Sequence, residues 1–116
     1  MRKTSKRDFN IFKQEFMRLV HKLSLNHYDI FFTHKKDEEN YASIIVDESN
    51  KKAYVNLTTY ITDDDLVGYD VKNHARHEAI HLLLYRLAWL GDKRYTRKEE
   101  LMEEEESIVR LLTKFL

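Results

Sequence analysis

An α+β fold is the class that this 116-residue chain predicts, on three observations. Apolar residues recur at helical spacing near the start and again over the last half of the chain. Between these stretches, residues 28–58 are β-branched and aromatic with period-two alternation, the pattern of short strands. Finally, there is no Pro, Gly occurs only at 68 and 91, and no low-complexity linker interrupts the chain, so residues 1–116 read as one domain with a single modest core.

Each element follows from its residues. Phe9, Phe12, Phe16, Leu19, Val20 and Leu23 share one helical face, predicting an amphipathic helix over about residues 6–24 whose aromatic stripe is core. Residues 28–34, 41–46 and 53–58 predict three strands. The last two flank a six-residue loop and read as a hairpin longer than the tightest type. Ala42, Ile44 and Val46 would share one face, as would Ala53, Val55 and Leu57, and the three strands are expected to form a small antiparallel sheet. Residues 59–69 read as a loop whose Asp63, Asp64 and Asp65 are solvated, since they lack the alternating spacing of a calcium loop. Asp70 is placed to cap a second helix over residues 70–90, with Gly91 as its C-cap. Thr96 followed by Glu99 is a capping box, so a third helix should run from about Arg97 to Phe115.

The second helix carries His77-Glu78-Ala79-Ile80-His81. Histidines four apart stack on one face about one turn along, so both imidazoles can reach one cation. Glu78 lies beside that face and can act on a water at the same metal, the arrangement of a zinc hydrolase with Glu as general base. Leu82, Leu83, Leu84, Leu87 and Ala88 follow, describing a buried helix on which two His and a Glu are costly to desolvate without a partner. The alternative is a plain pair of core or surface histidines on an amphipathic helix.

The absence of Cys excludes disulfides and thiolate zinc sites, so any metal must be held by His and carboxylate. A zinc ion on two histidines needs a third protein ligand. Placed at 100° per residue, Leu101, Ile108, Val109, Leu111, Leu112, Phe115 and Leu116 define an apolar sector on the third helix. Glu105 falls near its middle and Glu104 toward one edge, whereas Glu103 and Glu106 lie outside. Glu105 is therefore the favoured third ligand and Glu104 the second choice. The competing reading leaves all four glutamates solvated, favouring the N-terminal half of the helix through its dipole.

Net charge is zero, which argues against a dedicated nucleic-acid binder. Residues 1–27 are nonetheless basic and residues 99–106 acidic; the basic start reads as a solvated helix face rather than a phosphate-contacting arm. No apolar stretch is of membrane-spanning length, and the basic N-terminus lacks a following signal core. A cytoplasmic protein is the expectation.

The stretch from His74 to Leu84, with Glu104-Glu105-Glu106-Ser107-Ile108-Val109-Arg110-Leu111-Leu112 downstream, resembles the small zincin metallopeptidase-like proteins of bacteriophages and prophages. More distantly it is similar to the ImmA/IrrE and SprT-like groups. The resemblance implies a minimal zincin-like domain of gluzincin type, with zinc on His77, His81 and a late Glu, and Glu78 as catalytic base. It also implies a protein or peptide substrate, and a host cytoplasm if the chain is phage-encoded. The sheet edge nearest the motif could pair with an extended substrate backbone. His74 and Tyr85, one turn to either side of the motif, project on the same side and are the candidates for an oxyanion partner, but are read as packing or supporting residues. Two other readings stand beside this one: a non-catalytic zinc-binding phage adaptor, and a nucleic-acid-associated module using the basic first helix.

Overall fold

The computed structural model describes residues 2–61, 71–93 and 96–114. In chain order the elements are β1 (Arg2–Lys3), α1 (Lys6–Lys22), β2 (Asp29–His34), β3 (Ala42–Asp47), β4 (Lys52–Leu57), β5 (Tyr60–Ile61), α2 (Val71–Asp92) and α3 (Lys98–Thr113). The α+β class holds. Among the described residues no helix is long and apolar enough to cross a membrane.

α1 begins with a reciprocal cap that the sequence reading passed over. The Asp8 backbone N–H donates to Ser5 Oγ at 3.0 Å, and the Ser5 N–H donates to the Asp8 carboxylate at 2.8 Å. The helix ends two residues earlier than expected, in a Schellman turn. Leu25 N–H donates to the Val20 carbonyl and Ser24 N–H to that of His21, with Ser24 at φ 58° in the left-handed position more often held by Gly.

The three-stranded sheet is mixed, which corrects the antiparallel expectation. Its order is β2-β4-β3: β4 pairs antiparallel with β3 but parallel with β2. After β2 the chain skips one strand position, runs back as β3, and the hairpin then inserts β4 into the gap. The skipping segment is clipped to β4 by side chains. Asn56 accepts from Lys35 N–H and donates to the Lys35 carbonyl, while the Thr58 hydroxyl accepts from Asp37 N–H. In the central position of β4, Ala53, Val55 and Leu57 are wholly buried. Period-two alternation reports which side chains share a face and carries no information on strand order or direction.

α1 and α2 cover the inner face. Phe32 of β2 receives Phe12 and Phe16 of α1 edge-on, at 6.5 and 5.5 Å between ring centroids. Ala75 and Ala79 of α2 are fully buried small residues, part of the same core as Phe12 and Phe16. At the edge of the α1–α2 contact, buried Glu15 accepts from Arg18 at 2.6 Å and from Arg76 at 2.7 Å. The hydrogen bond from Arg18, followed by that from Arg76, holds the Glu15 carboxyl at about 2, below its ordinary 4.5, against the opposing effect of burial. Because the folded-state value is depressed, this stabilisation is present above pH 4.5 and is lost as pH falls from there through about 2. Both guanidinium partners are about half exposed, so solvent screening reduces the effect to about 1–2 kcal/mol. Urea unfolding should accordingly find Glu15→Gln less stable than wild type by about that amount at pH 7, with the difference closing toward pH 2. Equal stabilities at pH 7 would show that the clamp contributes nothing.

Two more helix ends depart from the sequence reading. α2 continues through Gly91 to Asp92, so Gly91 is an interior residue of the last turn rather than a C-cap. α3 starts one residue later than expected, with Arg97 at the N-cap and no side-chain cap bond, so the Thr96–Glu99 capping box does not form. Asp70 and the run Asp63–Asp65 lie outside the described residues.

Candidate metal centre

His77 and His81 project from one face of α2, as i and i+4 geometry requires. Their Nε2 atoms stand 3.1 Å apart and both rings are exposed. Two nitrogens bound to one tetrahedral zinc at ordinary bond lengths are separated by about 3.3 Å, so the pair already converges as such a site needs.

Glu78 sits beside them under different conditions. It is 7% exposed and makes no hydrogen bond or ion pair among the described residues. Burial pushes its carboxyl up to about 7. A desolvated carboxylate without a partner is costly, and a cation at the two histidines would supply the missing countercharge. The observations in the fold thus fit a metal at His77 and His81 with Glu78 close to it.

The site opens along the edge of the sheet. β3 is an edge strand and packs against α2. A cleft of about 400 Å³ lies between them, lined by Ala42, Ser43 and Ile44 on one side and by His77, Glu78, His81 and Tyr85 on the other. A second cleft of about 310 Å³ adjoins it, sharing Asn40, Ala42, His77 and Glu78 and adding His74 and Tyr41, whose rings meet at 4.6 Å. The pair of clefts makes one groove that follows β3, with the histidines near its middle. Tyr85 is half-buried on its wall.

The expected third ligand is not brought to this site. Glu105 is exposed on α3. The α3 carboxylate that turns toward α2 is Glu104, and its Oε2 lies 3.4 Å from Arg86 Nε. Two causes operate. The inward line of α3 is Leu101, Glu104, Ile108 and Leu111, one position round from the predicted sector, because Val109 and Leu112 remain exposed at 49% and 39%. More decisively, α3 meets α2 around Leu82, Leu83, Arg86 and Leu90, which at 100° per residue lie on the side opposite His77 and His81. No rotation of α3 about its own axis would carry a glutamate across α2. Among the described residues, no group of three or more His, Asp or Glu side chains is arranged to hold a metal ion.

Sequence reasoning also missed a buried carboxylate that holds Arg86, the α2 partner of Glu104. Glu48, in the β3–β4 turn, is 4% exposed; it accepts from Tyr28 Oη at 2.6 Å, from Lys51, and from Arg86 at 3.4 Å. In the sequence the only signal from this turn is its polar composition. Compared with family models, curated proteins and solved structures, the chain gives no match.

Proposed function

We propose that this protein is a zinc-dependent peptidase of zincin type, with His77 and His81 as metal ligands and Glu78 as general base. The observation that carries the reading is the convergence of two imidazole nitrogens, 3.1 Å apart, beside a buried carboxyl without a partner among the described residues. A purely structural site would have no use for Glu78. A zinc ion held there would act as a Lewis acid, making water more acidic and polarising a peptide carbonyl. Glu78, buried beside the two histidines, would accept a proton from the attacking water and pass it to the leaving amine. The backbone edge of β3, unpaired with any strand among the described residues, offers donors and acceptors to an extended peptide lying in the groove. This supports a protein or peptide substrate.

A non-catalytic zinc module is the second reading. α3 packs on the far side of α2, so the site draws no carboxylate from that helix. Metal analysis of protein purified without added zinc tests both. About one zinc per chain is expected, and chelation should lower the melting temperature, since a metal bound only by the folded state stabilises it. Metal-free wild-type protein with an unchanged melting temperature in chelator would sink both readings.

A further inference from the structure

The side of α2 turned away from the histidines faces a cleft that the proposed chemistry does not use. It has a volume of about 510 Å³ and lies between the 23–28 connection, α2 and α3. That is within the range of small-molecule sites. Its floor is apolar: Leu23, Leu25, Leu82, Leu83 and Ile108 are each at most 8% exposed.

The charges around it divide into two groups. Lys51, Glu48, Arg86 and Glu104 are joined in a chain of ion pairs, two cations with two anions, and neutralise one another. Arg110 and Lys114 also line the cleft, are exposed, and make no ion pair among the described residues. They stand four apart and so project one turn from each other along the same side of α3. Near the C-terminal end of α3 both suit the helix dipole, but that would hold equally if they faced away from the cleft. Their position places two cations, neither in an ion pair among the described residues, beside the leucine-rich floor, although Arg110 also lines an adjoining cleft with Glu100, Glu103 and Glu104.

We propose that this cleft binds a small amphipathic anion, with its apolar chain on the leucine floor and its carboxylate or phosphate head between Arg110 and Lys114. Apolar burial supplies the attraction and the two cations set the orientation and select for charge. This site is separate from the metal centre and does not depend on the peptidase reading.

Calorimetric titration with sodium decanoate, below its micelle-forming concentration, tests the proposal. One saturable site is expected. Decyl phosphate should bind it too, while decanol, which keeps the chain and loses the charge, should bind about tenfold or more weakly. The double variant Arg110→Glu, Lys114→Glu should lose decanoate affinity by about tenfold or more; reversing both charges also opposes the α3 dipole, so a melting temperature still well above that of the titration is what excludes unfolding as the cause. In His77→Ala, decanoate binding should be unchanged, because the cleft lies across α2. The proposal is overturned if decanoate shows no saturable binding, if decanol binds as tightly, if charge reversal has no effect, or if His77→Ala removes the binding.

Discussion

Replacing Glu78 with Gln should leave the fold and the bound zinc intact and lower peptide hydrolysis by about 10²-fold or more. The amide matches the carboxylate in shape and fills the same buried position, so α2 keeps its packing through Ala75, Ala79 and Leu82. What it loses is the ability to accept a proton. The measurement is cleavage of an unfolded protein or peptide-library substrate by wild type and variant at equal zinc content. Equal, measurable rates in the two would remove Glu78 from the chemistry, whereas no hydrolysis by either would leave the non-catalytic zinc module as the better account.

The second large effect concerns the ligands. His77→Ala or His81→Ala should abolish stoichiometric zinc binding and, with it, the chelator-sensitive part of thermal stability. Loss of a group that only supports a ligand typically costs about 10–100-fold in affinity, so loss of one of two histidine ligands should cost at least the upper figure. Both rings are exposed, so neither substitution opens a cavity in the core. Glu104→Ala and Glu105→Ala serve as contrasts, because α3 lies across α2 from the histidines: both should bind zinc like wild type. Glu104→Ala should instead loosen α3 by leaving Arg86 with Glu48 alone. A sharp fall in zinc affinity for either glutamate variant, measured by competition with a chromogenic chelator, would mean that α3 docks differently from the arrangement described.

Much of the candidate site was legible because it is local. His77 and His81 meet for the same reason that any i, i+4 pair meets on a helix, and the apolar run after them signalled that the helix would be largely buried. The seclusion of Glu78 was implied by the same run, although its lack of a partner among the described residues emerged only from the packed structure. Glu105 shows where such reasoning stops. The apolar sector of α3 was drawn from Val109 and Leu112 as well as Ile108, but a helix with one docked face buries only the residues its neighbour reaches.

Apart from the short β1–β5 pair, whose Tyr60 and Ile61 it read as loop, the sequence by itself determined the three helices and strands β2, β3 and β4, to within a residue or two at most ends, and the pairing of the two histidines. These depend on periodicity and short-range geometry, which each segment carries with it. Only the tertiary structure decided that β4 lies between β2 and β3 and runs parallel to β2, that Glu104 rather than Glu105 turns inward, and that α3 packs on the side of α2 away from the histidines. Those outcomes rest on contacts between residues far apart in the chain: Asn56 with Lys35, Glu48 with Arg86, and Arg86 with Glu104. A one-dimensional pattern reports which face of an element is apolar; which partner covers that face, and from which side, is settled by the competition among all the elements for the same core.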